Sequence, residues 1–405
     1  MRRVAITGLG IVSAIGSTRH TFWSALQAGL SGIRPIESVH HSLLRTLQGA
    51  EVSGFDAAQH FNPKEIDQID PFALYALTAA AEAIADSGVD LTDELRQRTA
   101  IVTGCGLGGK VTEDQGFRDL YADHKPRFHP FTIPRAMTSA GTSQISMRFG
   151  FTGPSLTVST ACSSANHALG QALWMVRSGA AEMAIAGGSE APFTLGVLKA
   201  WEGMRVMAPD TCRPFSKGRL GLILGAGAGM LILEPWERAQ ARGARIYAEL
   251  AGCGMTADAH HITMPSESGA ARAMSLAMAD AGLATEEVGY INAHGTGTQA
   301  NDSTEAKAIR AVFSVPPPTS STKSMHGHAM GAAGALEAAA TVLALYHGVL
   351  PPTANFTTPD PDCDLDVIPN TSRVCRVTAA LSNSFAFGGL NAVLAVRALT
   401  HRILP

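Results

Sequence analysis

Three blocks of this chain occur twice, in the same order, and that repetition restricts the fold more than any other feature. The helix-like ALTAAAEAIADSGV (76–89) precedes a strand and GCGLGG (104–109); SLAMADAGL (275–283) precedes a strand and AHGTGT (293–298). The strand and Ala-rich helix around TVSTACSSANHALG (157–170) are echoed by SSTKSMHGHAMGAAGALEAAATVLAL (320–345). Helical patterning alone makes Ala-rich segments resemble one another, so it is the shared order that argues for duplication. Each half reads as α/β, a sheet flanked by helices, with equivalent turns meeting near the joint, where such proteins bind ligands. We place the halves at residues 1–245 and 246–405.

A chain of 405 residues, 46% hydrophobic with 41 glycines, is long enough for a large core. Only 16% of residues are charged and the formal net charge is -3, which gives no reason to expect nucleic acid or an acidic membrane as partner. The six cysteines (105, 162, 212, 253, 363, 375) contain no CxxC pair. Neither zinc nor a disulfide framework is expected, and a reducing cytoplasm fits. The opening MRRVAITGLGIVSAIG is interrupted by Gly8, Gly10 and Gly16, so it reads as a buried strand entering a glycine turn and not as a signal peptide. No window reaches the ~18 apolar residues of a spanning helix.

Strand-like and helix-like pieces alternate along the chain. We expect a helix at 21–29, a loop-rich stretch at 31–63 and a strong helix at 70–87 with Pro71 in its first turn and Gly88 as its stop. A buried strand follows at 99–103. Residues 110–135, with Pro126, Pro130 and Pro134, read as a surface excursion. Further strands are expected at 183–186, ended by Gly187 and Gly188; at 225–233, ended by Glu234 and Pro235; and at 246–251, after a helix at 236–242.

Cys162 falls at a strand-to-helix turn, where unpaired N–H groups and the helix dipole favour thiolate. The competing account is a small buried apolar side chain. His294 follows a strand and precedes two hydroxyls, Thr296 and Thr298, suited to a polar ligand; Lys323, His326 and His328 stand at a helix N-terminus as Cys162 does. A lone histidine is more often structural, but one cysteine and two histidines at equivalent turns of a repeated fold argue for a site. His260 and His261 have no such setting and read as solvated. LSNSFAFGGLN (381–391) is suited to presenting backbone N–H groups to an oxyanion. Neither GLG at 8–10 nor GCGLGG completes GxGxxG, which argues against a dinucleotide oxidoreductase.

Together VAITGLGIVSAIG, GPSLTVSTACSSANHALG, AGGSEAP, CRPF, ILGAGAGMLILE, INAHGTGT, SSTKSMHGHAMGAAGALE, PPTANF, CDLDVIPN and SNSFAFGG carry a resemblance over nearly the whole chain. The chain resembles the elongating β-ketoacyl-acyl carrier protein synthases of type II fatty acid and polyketide assembly. APFTLGVLKAWEGMRVMAPDTCRPFS looks most like the nodulation-signal and aryl-polyene members, which make unsaturated chains. The resemblance implies a thiolase-like fold, layered αβαβα from two similar halves, and a dimer. It also implies decarboxylative condensation of an acyl thioester with malonyl-acyl carrier protein, with no metal or redox cofactor and with substrates held on the carrier's 4'-phosphopantetheine.

By motif, Cys162 would be the nucleophile, His294 and His328 the pair acting on the extender unit, and Lys323 a supporting charge beside Glu337. Thr296 and Thr298 would hold the pantetheine arm. Phe387 would be the gate, its N–H joining that of Cys162 in an oxyanion hole, and Leu107, Phe131 and Glu337 are assigned to substrate binding. Departures from the pattern are Ala165, Ala226, Leu220, Ala386 and Leu390, which bear on loop packing and gate mobility. The usual basic cluster for an acidic carrier protein is thin: Lys64 stands among Glu65, Asp67 and Asp70, leaving Lys125, Arg127, Arg135 and Arg205 as candidates. The rivals are a non-catalytic chain-length partner subunit, which would lack Cys162, and a thiolase, which would want a second cysteine near SNSFAFGG.

Overall fold

The computed structural model describes residues 2–52 and 54–399; residues 400–405 of the second half lie outside the described residues. The main sheet holds β1 (Val4–Ser13), β2 (Thr99–Gly104), β3 (Ser155–Val158), β4 (Met183–Glu190), β5 (Gly227–Pro235), β6 (Ala248–Ala257), β7 (Val288–Asn292), β8 (Thr319–Ser320), β9 (Ala379–Phe385) and β10 (Leu390–Arg397). Their order is β8-β7-β9-β10-β6-β1-β5-β4-β2-β3. Read from its outer edge, each half therefore runs third, second, fourth, fifth, first. The directions repeat too: β2 is parallel to β3 and β4 as β7 is to β8 and β9, whereas β5 and β10 are antiparallel to both their neighbours. A short antiparallel pairing, Ala5 with Glu249 and Ile6 with Ala248, joins the halves.

Six helices complete five layers: α1 (Pro71–Ser87), α2 (Ala140–Phe149), α3 (Ser164–Ser178), α4 (Glu267–Ala281), α5 (Gln299–Val312) and α6 (Ala333–His347). Helices α1 and α2 cover the outside of the first sheet half, and α4 and α5 the outside of the second; α3 and α6 pack together between them. Helix α6 is buried from Ala333 to Leu345, which its nearly all-apolar sequence requires. This is the thiolase-like αβαβα arrangement.

Close approach accounts for the glycines of β1. A bulge between Ile6 and Gly8 lets Val4, Ile6, Leu9 and Ile11 all face the central core. Gly8 and Gly10 face α1, where an added Cβ would overlap the carbonyls of Ala83 and Ala79. The GLG stretch is thus a seat for a helix.

Several expected boundaries shift, each for a physical reason. β4 runs through Gly187 and Gly188 to Glu190, because a Cβ on Gly187 would overlap Gly229 O of β5. β5 continues through Glu234, which stays buried by pairing with Arg242 (2.5 Å) and accepting the Thr7 hydroxyl (2.6 Å). β6 extends to Ala257, paired along its length with β10. The excursion at 110–135 is on the surface but is not irregular: it holds a helix at Lys110–Tyr121 and another at Thr132–Ala136. Asp70 is no surface acid; it is buried, caps α1 by accepting the Phe72 N–H (3.2 Å), and accepts the N–H and hydroxyl of Thr112 (2.9 and 2.7 Å).

Candidate active site

The chain leaves β3, turns through a short 3-10 segment at Ala161–Ser163 and enters α3. Ala161 has φ 51°, a conformation that costs energy for a residue with a Cβ and is held here by local bonds. Ser164 Oγ donates to Ala161 O (2.6 Å) and accepts the Thr160 N–H (2.9 Å). Cys162 is thereby presented to a cavity of about 430 Å³ shared with His294, His328, Thr296, Thr298 and Phe387. The second half repeats the turn at Met330, φ 49°, ahead of α6. There the counterpart of Cys162 is Gly331, where a Cβ would meet Glu190 Oε2 at 2.7 Å.

His294 stands just beyond β7. Its backbone N–H and that of Gly295 donate to Glu305 of α5, both at 2.8 Å. Lys323 Nζ lies 3.2 Å from His294 Nδ1 and donates to His294 O (2.7 Å) and to Glu337. An ammonium has only protons to offer, so His294 Nδ1 accepts and its proton sits on Nε2. His328 reaches the same state by another route, for its Nδ1 accepts the Met330 N–H at 3.1 Å. The rings lie edge to face, 5.5 Å apart. Burial, then the Lys323 charge, holds both imidazoles well below their ordinary pKa, with His328 adding to the effect on His294 and His326 to that on His328. Both are therefore neutral Nε2–H donors.

The N–H groups expected to favour thiolate at Cys162 are in place, but burial outweighs them. Burial pushes the thiol up to about 11, outweighing the Lys323 charge and the N–H groups of Phe387 and Cys162 itself, which all favour thiolate. Those two N–H groups meet at the sulfur, where a carbonyl oxygen would collect charge. Phe387 lies in the tight turn after β9, closed by Ala386 N–H to Leu390 O (3.1 Å) and Gly389 N–H to Ala386 O (3.0 Å). These are backbone bonds, so they do not depend on the side chains of Ala386 and Leu390. The positive φ values fall on Gly388 and Gly389 (84° and 70°), not on Ala386. Ala165 and Ala226 are buried without positive φ, and Leu220 is exposed.

Thr296 and Thr298 line the cavity with their hydroxyls 2.9 Å apart. Asp302 fixes their loop by accepting the N–H groups of Gly297 (3.2 Å) and Phe215 (2.9 Å), and the buried Arg219 donates to Thr298 O (3.2 Å). Glu337 is fully buried against Lys323 and does not face the cavity, so its assignment to substrate binding is corrected to a partner of Lys323; burial raises its carboxyl to about 7 against the pull of that lysine. Leu107 packs in the apolar cluster with Met330 and Phe387 and not on the cavity wall, and Phe131 is 43% exposed outside it. His326 is structural, bonded to Thr322 Oγ1 (3.0 Å). His261 is not simply solvated. It lines the cavity mouth, and its Nδ1 accepts the N–H groups of Thr263 and Met264.

Of the basic candidates, Arg205 lies between Met204 and Val206 at the cavity wall and is exposed. Lys64 and Arg127 are exposed and do not line the cavity, and Lys125 is engaged by Asp119 (2.8 Å). Arg135 is half-buried. Sequence reasoning missed the wall built by Trp201, Met204, Val206, Leu222 and Ile262, and the scaffold acids Glu190, Asp302 and Glu305. The stretch running to Gly218 reads in sequence as a loop, whereas it holds the helix Leu195–Met204 that brings Trp201 and Met204 to the cavity, and its meeting with residues 261–265 is a property of the fold.

A sequence model described as "Beta-ketoacyl synthase, N-terminal domain" matches residues 1–239, and one described as "Beta-ketoacyl synthase, C-terminal domain" matches residues 247–357. The chain is similar to "Nodulation protein E" of Rhizobium meliloti (strain 1021), 47% identical over 399 residues, covering 98% of this chain and 99% of that one. It is 39% identical over 403 residues to "3-oxoacyl-[acyl-carrier-protein] synthase 2" of Staphylococcus aureus (strain N315), covering 97% of each. Among solved structures, "The ishigamide ketosynthase/chain length factor" superposes with a TM-score of 0.94 at 38% identity, covering 98% of this chain and 99% of that one.

Proposed function

This chain belongs to the β-ketoacyl synthase family, and we propose that Cys162, His294, His328 and the Phe387 N–H carry out the family's reaction in it. The protein is a 3-oxoacyl-[acyl-carrier-protein] synthase. It condenses an acyl thioester with malonyl-acyl carrier protein in fatty acid or polyketide biosynthesis. The observation that carries the assignment of roles is one cavity holding a thiol under two backbone N–H groups beside two neutral imidazole donors.

In the first step Cys162 sulfur attacks the thioester carbonyl of the acyl carrier, and its proton leaves with the departing pantetheine thiol. The oxyanion forms under the N–H groups of Cys162 and Phe387, worth ~3 kcal/mol each. The acyl group now rests on sulfur. In the second step a malonyl thioester binds with its carbonyl oxygen facing the His294 and His328 Nε2–H groups. Loss of CO2 leaves an enolate that they stabilise. The enolate carbon attacks the acyl-Cys162 carbonyl, the C–S bond breaks, and the sulfur leaves as thiolate and takes one proton from solvent. The products are CO2 and a β-ketoacyl carrier protein two carbons longer. On this proposal the chain's own groups supply every step without metal or redox cofactor. Thr296 and Thr298 bind the pantetheine arm, and Arg205, beside the cavity mouth, is the basic residue best placed to meet an acidic carrier.

Cys162 disfavours the rival, a non-catalytic chain-length partner. The edge strand β3 and the exposed Phe117, Tyr121, Phe128, Phe131 and Ile133 support a dimeric assembly, with itself or with a chain-length-factor-like subunit. Light scattering with and without such a subunit distinguishes the two. No helix of the described residues is long and apolar enough to cross a membrane; with six unpaired cysteines, five of them buried, we place the protein in the reducing cytoplasm.

The test is intact mass after incubation with a panel of saturated and unsaturated acyl carrier proteins. A chain-specific mass gain is expected that vanishes in Cys162→Ala, whereas His328→Ala gains the acyl group and forms no β-keto product. Loading of Cys162→Ala equal to wild type removes the assignment.

A further inference from the structure

The turn that carries Phe387 is closed by the Ala386–Leu390 and Gly389–Ala386 bonds and tied to its surroundings by Asp258 N–H to Gly389 O (2.9 Å). The two glycines after Phe387 carry positive φ, and the one bond that ties the next residue outward runs from Gly388 N–H to Ile262 O at 2.7 Å. Its side chain packs in the apolar cluster that holds Leu107, Leu222 and Met330, and within that cluster it stacks on Trp201. This residue belongs to the helix Leu195–Met204, whose start is capped by Thr194 Oγ1 accepting the Val197 N–H (3.3 Å). The indole is 9% exposed and anchored in a cluster with Leu198, Leu222 and Met330. Its ring lies 6.0 Å from that of Phe387, with 26° between the planes, an offset-stacked pair. Both rings also line the cavity that holds Cys162.

We infer that Trp201 is a positioning residue: by stacking on Phe387 it keeps the Phe387 N–H aimed at the Cys162 sulfur and opposes the gate's excursions. This rests on the assignment of Phe387 as an oxyanion donor. Trp201 touches no reacting atom. Its effect passes through the ring, across one Cα, to a backbone N–H in a turn whose two following glycines give it room to shift. The contact between a scaffold helix and the gate is made by side chains alone, so it sets how often the hole is complete without changing how a carrier docks on the surface.

The test is single-turnover acylation of Cys162 by acyl-carrier protein, followed by quenched-flow intact mass over a range of carrier concentrations. Trp201→Leu is expected to slow the saturating rate about two- to tenfold, the worth of an aromatic pair, with the half-saturating carrier concentration unchanged. Trp201→Phe, which keeps a ring, recovers most of the rate. Phe387→Leu removes the other partner, and adding Trp201→Leu to it costs nothing more. The inference is overturned if Trp201→Phe is as slow as Trp201→Leu, if the double variant shows the product of the two losses, or if only the half-saturating concentration moves. Should Trp201→Leu fold poorly, the Trp201→Phe and Phe387→Leu pair decides alone. Failure of wild type to acylate at Cys162 would remove the function above along with this inference; normal acylation with an indifferent Trp201 removes only the latter.

Discussion

Cys162 sits under opposed influences, and the balance makes a rate law. Burial raises its thiol to about 11, and Lys323 is the strongest opposing charge. Below that value the thiolate fraction grows about tenfold for each unit of pH, so acyl loading should climb with pH across the neutral range until another step limits it. Lys323→Met removes the opposing charge. Loading at pH 7 should fall, about tenfold for each pH unit by which the thiol rises, and rapid-quench assays across pH 6–9 would register it. The same lysine depresses His294 and His328. A histidine lowered in the folded state stays neutral as pH drops through 6.5, where the unfolded chain takes up protons; burial being the larger cause, condensation should persist at pH 6 in the wild type and in Lys323→Met alike. An unchanged rate of acyl loading in that variant would refute the electrostatic role.

At the scale of elements, Glu190 ends β4 and binds turns from both halves. It accepts the N–H groups of Gly106 (2.7 Å) and Leu107 (3.2 Å) from the first half and of Gly331 (3.1 Å) from the second. A glutamine has one acceptor oxygen, so at least one buried N–H would face an NH2 group. Glu190→Gln should lose ~1–3 kcal/mol, measured by urea unfolding at pH 7. Burial raises this carboxyl from 4.5 to about 7. The folded state therefore keeps its proton while the unfolded chain releases it, and stability falls as pH rises from 4.5 to about 7. That part of the slope should be missing in Glu190→Gln. Much of this level was legible in the residues. The repeated blocks foretold the repeated sheet, and Pro71 and Gly88 bracketed α1. The turns bearing Cys162, His294, His328 and Phe387 were found because glycines and helix starts are local signals. The wall was not, since residues 201–206, 222 and 261–265 are distant in the chain and meet only through packing. Nor was the elevated thiol, because a helix terminus is visible in sequence and the depth of burial is not.

Across the molecule, stability concentrates in the middle layer, where α3 and α6 are enclosed by both sheet halves. Leu336 on α6 is fully buried there, whereas Leu276 on α4 is 44% exposed on the outer layer. Leu336→Ala should cost ~2–5 kcal/mol and Leu276→Ala within ~0.5; equal losses in chemical denaturation would contradict the layering. The duplication is symmetric in its sheets and asymmetric in its chemistry, with the nucleophile in one half and both imidazoles in the other. A last consequence follows from strand order. β10 comes latest among the strands yet lies inside the sheet, between β9 and β6. While the chain is being synthesised that slot stands open, with β6 and β9 each lacking a neighbour, long after Cys162 has emerged. The turn carrying Phe387 is anchored only when the slot fills. The oxyanion hole is therefore completed by the turn between the last two strands of the main sheet, well after the segment that carries the nucleophile.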